Sequence, residues 1–309
     1  FDPSADCPRW VQFIDEVFEG NAELIGFVHK ALGYSLTGDM REQVFFMAHG
    51  SGANGKSIFL DTLEHVWGAY GLRADMRIFA GGTVDQSTFH FADFRGRRLV
   101  FASEVKPHSR MNEHVLKNFT GGESVRVERK YGDPFTIKPV GKIWLGVNHF
   151  PKVTDDSYGF WRRVRLLPFT RIFSGSTADR NLHSKLRAEA PGILRWVVDG
   201  CLAWQATGLD APAIVQIATE SYQASEDPLT EFFEDWCEYD ADVTETFSKL
   251  FSGYREWAKS LGLSDRDTLN GRAFAASLAK RPLTRVKVAG SVRYRGVRLV
   301  KRPSSELDL

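Results

Sequence analysis

The sequence predicts an α/β protein, with a mostly parallel central sheet, a helical segment before it and a smaller basic unit of winged-helix-like element order after it. Three observations predict this. A glycine-rich run, Gly50-Ser51-Gly52-Ala53-Asn54-Gly55-Lys56-Ser57, stands between an apolar strand and a helix-periodic segment, which is the context such a loop needs. Residues 98–103 and 142–147 are almost continuously apolar, as strands covered on both faces of a parallel sheet are. Finally, residues 268–302 contain no Asp or Glu.

At the N-terminal end, Trp10, Phe13, Ile14, Val17 and Phe18, then Leu24, Ile25, Phe27, Val28 and Leu32, recur at helical spacing, so residues 8–37 read as helices. Gly33 and Gly38 are expected to punctuate their end. Val44-Phe45-Phe46-Met47-Ala48 is the first strand, and Ser57 to Glu64 has helix-like periodicity. A further strand is expected at 164–169. Val125-Arg126-Val127-Glu128 and Phe135-Thr136-Ile137-Lys138 alternate with period two around a polar tip and read as a hairpin. Residues 179–207 look helical. Pro228 opens a new unit with helices at 229–236, 247–261 and 270–280, then strands at 286–288 and 294–300 around Gly290. The expected divisions are a helical collar at 1–38, a core at 39–215 and the basic unit at 225–309.

The glycine-rich run has the spacing of a loop that cradles nucleotide phosphates. Gly50 and Gly55 let backbone N–H groups turn inward without a Cβ in the way. Those N–H groups and the helix N-terminus then face the β- and γ-phosphates. Lys56 adds a point charge on the terminal phosphates, and the Ser57 hydroxyl is placed to hold Mg²⁺. The chain is therefore expected to bind a nucleoside triphosphate such as ATP through residues 50–57, Gly50, Ser51, Gly52, Ala53, Asn54, Gly55, Lys56 and Ser57. An ATPase also needs a carboxylate at the tip of a neighbouring strand, and Glu104 follows the strand at 98–103. The next parallel strand ends in Asn148, whose amide can polarise the attacking water or sense the γ-phosphate. A turn asparagine ahead of Pro151 is the plainer reading of that residue.

Bulk composition narrows the partners. The 309 residues are 43% hydrophobic and 13% aromatic, enough for a sizeable core, and net charge is only +1. The charge is nonetheless uneven. Acidic residues concentrate at 220–245, and the acid-free stretch holds Arg272, Lys280, Arg281, Arg285, Lys287, Arg293, Arg295, Arg298, Lys301 and Arg302. Such asymmetry indicates a local anion-binding surface. Cys7, Cys201 and Cys237 are far apart and the His residues are scattered, so reduced thiols, a cytosolic protein and no zinc site are expected. No apolar run approaches membrane-spanning length. The first residue is Phe1 rather than Met, so a fragment of a longer polypeptide is expected.

Several ordered blocks carry a family resemblance. They are Leu32-Gly33-Tyr34-Ser35-Leu36-Thr37-Gly38, the phosphate loop, Phe94-Arg95-Gly96-Arg97-Arg98 leading through the strand to Glu104, Leu116-Lys117-Asn118-Phe119-Thr120-Gly121-Gly122-Glu123, Trp144-Leu145-Gly146-Val147-Asn148-His149-Phe150-Pro151, and Trp161-Arg162-Arg163. From about Trp10 to Tyr222 the chain resembles the superfamily 3 helicases, in the branch of phage and plasmid primase-helicases that includes the poxvirus enzyme. The resemblance implies an AAA+-type core in a hexameric ring around single-stranded DNA, moving 3′ to 5′ with ATP and Mg²⁺, in a phage or plasmid protein of a bacterial host cytoplasm. It implies that Lys56 and Ser57 form the first nucleotide motif, Glu104 the second, and Asn148 the sensor. Arg162 or Arg163 is implied as the arginine finger reaching a neighbouring subunit, with spacing favouring Arg163, and Lys117 as a further contact in trans. Many members carry two adjacent acids in the second motif, whereas Ser103 precedes Glu104 here, which leaves Ser57 and waters as the metal ligands.

Composition alone describes the hairpin tip as an ordinary solvated turn, while the resemblance implies that Arg129, Lys130 and Tyr131 form a central-channel loop on nucleic acid. The basic unit at 225–309 is expected to bind duplex or origin DNA, or else to dock a replication protein. Two other classes stay open for the whole chain. One is a nucleotide-dependent replication initiator without processive unwinding, and the other a P-loop phosphotransferase.

Overall fold

A computed structural model describes residues 1–80, 88–104, 109–128, 133–175, 178–227, 229–263, 268–288 and 290–300, with side chains at 88–90 excepted. The chain divides into two compact units, Phe1–Gln223 and Ala224–Leu309.

The first unit opens with α1 (Pro8–Val17) and α2 (Ala22–Leu36). Pro8 suits the first turn of α1, where its missing N–H costs nothing. Trp10, Phe13, Ile14 and Val17 then fall on one buried face. Asn21 caps α2 by accepting from Leu24 N at 3.0 Å. Gly33 does not end this helix, contrary to the sequence expectation: it lies inside α2, which runs on to Leu36. Its role is in packing. A Cβ on Gly33 would stand well under 3.0 Å from the backbone of Gly200 and Cys201 in α7 (Ala190–Thr207), and one on Gly200 would strike His29 O. The two helices therefore touch backbone to backbone. Residues 179–207 form two helices, α6 (Leu182–Ala188) and α7, because Pro191 cannot extend a helix already begun but suits the first turn of a new one.

Between these helical segments lies a five-stranded, all-parallel sheet of β1 (Phe45–His49), β2 (Gly71–Arg73), β3 (Leu99–Ser103), β6 (Lys142–Val147) and β7 (Val164–Pro168), in the order β2-β3-β6-β1-β7. Every residue of β6, the middle strand, is buried. Alternate side chains feed two cores. Phe46, Ala48, Phe101 and Trp144 join the cluster built by α1, α2, α7 and α3 (Lys56–Trp67). Phe45, Met47, Val100, Ala102, Ile143 and Leu145 join the opposite cluster with α4 (Glu113–Gly121), α5 (Tyr158–Trp161) and Tyr222 of α8 (Ala213–Ser225). Layers on both faces explain the near-continuous apolar character of these strands. β4 (Val125–Val127) and β5 (Phe135–Ile137) pair antiparallel with Val125 opposite Ile137, as the alternation predicts. The edge strand β2, three residues long, has no periodic signal of its own.

The second unit runs α9 (Thr230–Trp236), β8 (Cys237–Glu238), β9 (Thr244–Thr246), α10 (Phe247–Ser260), α11 (Gly271–Leu278), β10 (Thr284–Val288), β11 (Ser291–Arg295) and β12 (Arg298–Leu299). Leu229, Phe232, Tyr254, Trp257, Phe274 and Tyr294 centre its own core. The strand expected at 294–300 is broken: Gly296, at φ +101°, turns the chain, so β11 pairs with β10 and β9 while β12 pairs with β8.

Candidate nucleotide site

The glycine-rich loop leaves the carboxyl end of β1 and enters α3 at Lys56. Its conformation explains its composition. Gly52 and Gly55 take φ of +118° and +84°, which glycine adopts without strain. A Cβ on Gly50 would collide with the Asn54 side chain and Phe169 O, and one on Gly55 would press on Val17 and Phe13 of α1 at 3.0 and 3.2 Å. Three bonds tie the loop to the segment after β7: Phe169 N donates to His49 O at 2.7 Å, Asn54 Nδ2 to Phe169 O at 3.2 Å, and Phe173 N to Ala53 O at 2.7 Å.

Lys56 is 6% exposed and folds back over the loop. Its Nζ donates to Gly50 O and, at 3.1 Å, to Asn54 Oδ1. Burial pushes its pKa below the usual lysine value, and no carboxylate among the described residues forms an ion pair with it. The neighbouring Ser57 is exposed at the second position of α3. Burial, followed by the charges of Lys56 and His149, pushes the His49 pKa down. The His49 ring stacks on Phe150 at 4.0 Å, and Phe150 stacks on Tyr222 at 4.3 Å.

Glu104 does not stand on the strand beside the loop strand. β3 pairs with β6, and β6 with β1, so the strand that Asn148 follows lies between Glu104 and the loop. With Ser103 opposite Gly146 and His49 opposite Val147, Glu104 follows level with Val147, and Gly50 level with Asn148. Strands spaced about 4.8 Å apart put Asn148 one strand from the loop and Glu104 two, roughly 10 Å away. All three groups leave the same, carboxyl edge of the sheet. Glu104 and Asn148 are both exposed, and Glu104 holds φ +74°, a left-handed conformation costly for a residue with a Cβ.

Arg162 and Arg163 lie at the opposite edge. Arg163 immediately precedes β7, whose Val164 pairs with Phe45 at the amino end of β1. The five residues of β1 put roughly 16 Å between that edge and the loop. Neither arginine can therefore serve the loop of its own chain. Arg162 Nη2 donates to Gln43 Oε1 at 2.5 Å, and Gln43 itself has φ +53°. Arg163 is the more committed of the two: its Nε donates to Thr120 Oγ1 at 3.2 Å and its Nη1 to Gly159 O, and burial lowers its pKa. Lys117 on α4 is paired with Asp155 at 2.6 Å. Arg129, Lys130 and Tyr131 lie outside the described residues. The Gln43–Arg162 and Lys117–Asp155 contacts had no signal in the sequence, because each joins residues far apart in the chain through an irregular segment.

A family of unknown function (DUF5906) matches residues 48–163, a span that includes the loop, Glu104, Asn148 and both arginines. Three viral proteins are similar over most of the chain. "Putative helicase L207/L206" of Acanthamoeba polyphaga mimivirus is 28% identical over 255 residues, covering 76% of this chain and 27% of that protein. "Putative helicase 022R" of Frog virus 3 (isolate Goorha) is 26% identical over 274 residues, covering 82% and 28%. "Putative helicase 184R" of Invertebrate iridescent virus 6 is 24% identical over 251 residues, covering 69% and 26%. The chain thus spans about a quarter of the length of the curated relatives it matches. Among solved structures, the apo NrS-1 C-terminal region aligns with a TM-score of 0.60 at 15% identity, over 96% of this chain and 77% of that one. A second apo structure of that region aligns at 0.55 and 14%. The fold is similar to that of the NrS-1 region.

Proposed function

We propose that this chain is the ATP-driven motor region of a DNA helicase of the superfamily 3 type, with an AAA+ core. The observation that carries the reading is Lys56, a buried ammonium at the centre of a glycine-rich loop whose hydrogen-bond partners among the described residues are the Gly50 carbonyl and the Asn54 side chain. A buried cation without an anionic partner is costly, and a triphosphate seated on the loop supplies the missing charge. The names of the viral relatives support helicase work for such a nucleotide site.

In this reading the N–H groups of residues 50–57 and the Lys56 ammonium bind the β- and γ-phosphates. The Ser57 hydroxyl, a hard oxygen exposed beside Lys56, suits Mg²⁺ carried on the phosphates, with waters completing its shell. That ion would neutralise charge on the transferred phosphoryl group. Glu104 takes the proton of the attacking water, and Asn148, between acid and loop, orients the same water. Arg162 or Arg163 reaches the loop of a neighbouring protomer, because the sheet separates both from their own. A ring of protomers, six in number by the family resemblance, would complete each site in this way. The β4–β5 hairpin would present Arg129, Lys130 and Tyr131 to a single strand in the channel, with 3′ to 5′ movement. Lys117 contributes in trans only once it leaves Asp155.

One experiment tests the reading: ATP turnover measured against protein concentration, with and without single-stranded DNA. The expected result is specific activity that rises with concentration and rises again with DNA. ATP binding without turnover would leave an initiator-like protein. Turnover indifferent to both concentration and DNA would remove the shared site.

A further inference from the structure

The second unit carries a sheet face that the motor reading does not use. Tyr294 of β11 is buried in the core of the unit, and its cross-strand partner Glu245 is 8% exposed, so both point inward. Successive side chains alternate across a strand. The opposite face of the sheet β10-β11-β9 therefore carries Thr244 and Thr246 of β9, Arg293 and Arg295 of β11, and Thr284 and Val286 of β10. Val288 and Ser291 continue it to the turn at Gly290. Arg293 sits in its middle, opposite Val286 on one side and Thr246 on the other.

Three features of this face select its partner. It has no carboxylate, although acids are frequent elsewhere in the unit. Neither Arg293 nor Arg295 forms an ion pair with a described residue, whereas Lys249, Arg281 and Arg298 of the same unit are paired with Glu245, Asp227 and Asp240. The Arg293 Nε is shielded from solvent and has no hydrogen-bond partner among the described residues. Arg285 and Lys287 of the edge strand β10 are exposed but alternate to the Tyr294 side of the sheet, so Arg293 and Arg295 carry the charge of this face. Arginines among small hydroxyl side chains match phosphate oxygens, which accept from both. The face has no aromatic side chain on which an unstacked base could rest.

We propose that the outer face of β10-β11-β9 is a docking surface for the sugar-phosphate backbone of duplex DNA, gripped by Arg293 and Arg295. The site lies in the second unit and the nucleotide loop in the first.

The test uses the full chain without nucleotide, a fluorescent blunt duplex, and binding measured across a salt series. Arg293→Gln with Arg295→Gln should weaken duplex binding severalfold at low salt. It should also lower the salt slope by about 1.8, at about 0.9 for each duplex phosphate that the variant no longer neutralises. Arg293→Lys with Arg295→Lys, which keeps the charge, should retain most of the slope. Arg298→Gln, removing a cation already paired with Asp240 at 2.8 Å, should change neither. A matched single strand and a poly-glutamate competitor complete the set. Unchanged duplex affinity and slope in the double Gln variant, with its melting temperature intact, would overturn the proposal. Equal weakening on the single strand, or weakening confined to poly-glutamate binding, would overturn it in favour of a channel-type or an acidic-protein partner.

Discussion

Lys56 Nζ and Asn54 Oδ1 are 3.1 Å apart, and the amide nitrogen of the same Asn54 reaches Phe169 O at 3.2 Å, so one side chain positions the loop cation and pins the loop to the segment after β7. Asn54 is itself 3% exposed, which makes this geometry part of the core rather than a surface accident.

Two substitutions separate these roles. Lys56→Met should weaken binding of a non-hydrolysable ATP analogue by about 10- to 100-fold, since a hydrogen bond to a charged group is worth roughly 1.5–3 kcal/mol. Asn54→Ala should weaken it by about 5- to 10-fold while also lowering the melting temperature, because Phe169 O loses its partner. Titration calorimetry measures both, and wild-type affinity in Lys56→Met would show that the loop holds no triphosphate.

The placement of Arg162 and Arg163 at the far edge of the sheet predicts complementation. Arg162→Ala should keep nucleotide binding and lose hydrolysis by about 10³-fold if it is the cation delivered in trans. Its mixture with Lys56→Met should recover activity, because the intact loop of one protomer meets the intact arginine of the other. Arg163→Ala should also lower the melting temperature, since Thr120 and Gly159 lose a donor. Failure of every mixture to recover turnover would place catalysis within single protomers.

These contacts mark where sequence reading succeeds and where it stops. The loop from Gly50 to Ser57 is contiguous, and its backbone demands are written in its own glycines. The strands at β1, β3 and β6 are legible because burial on both faces leaves an apolar run. Strand order is not written locally. Nothing in residues 98–104 says that β6 lies between Glu104 and the loop, because that order is fixed by crossovers and by which helices cover each face. Gly33 looks like a helix stop in the sequence, and only the approach of Gly200 shows why a helix would keep it. The single strand expected at 294–300 fails on Gly296, whose positive φ a pattern of alternating residues does not display.

The α2–α7 contact supplies a stability test independent of nucleotide. Gly33→Ala and Gly200→Ala each put a methyl group where backbone atoms of the facing helix already stand. Overpacking of this kind costs about 1–3 kcal/mol and sometimes more. Because the obstruction is backbone rather than a flexible side-chain end, the upper part of that range is expected for both, read by urea denaturation. Gly26, with open space around its position, is the control, and Gly26→Ala should be neutral or stabilising. Neutral behaviour at Gly33 and Gly200 would mean that the two helices pack further apart.

Lys142 predicts a pH dependence. It is 1% exposed at the start of β6, where its Nζ donates to Thr37 O at 2.6 Å and Val140 O at 3.1 Å and lies 4.4 Å from the centre of the Tyr34 ring. Burial, with repulsion from Arg98 added, pushes its pKa down from 10.5 to about 7, and the carboxylate of Asp39 offsets this only in part. Between those two values the unfolded chain binds a proton that the folded chain does not, so stability rises with pH across the window. Below about 7 both states are charged and the penalty is complete. Lys142→Met should flatten this rise, measured as the urea midpoint from pH 6.5 to 9.5. An equal rise in the variant would assign it to another group.

Glu104 sets the demands of chemistry against those of backbone geometry. Its φ of +74° is one that glycine adopts freely and a residue with a Cβ does not. The position is exposed, so packing does not explain the choice of glutamate. Glu104→Gly should therefore raise stability by about 1 kcal/mol, the usual cost of a left-handed residue with a side chain. Under the proposed function the same substitution should abolish ATP turnover while nucleotide affinity stays near wild type, because the carboxylate stands two strands from the glycine-rich loop. Glu104→Gln keeps the strain and removes the charge, so it should lose turnover without the gain in stability. Melting curves and turnover measured on the pair separate the two effects. Full activity in Glu104→Gln would remove this residue from catalysis, and a destabilised Glu104→Gly would show that the left-handed turn is held by the side chain itself.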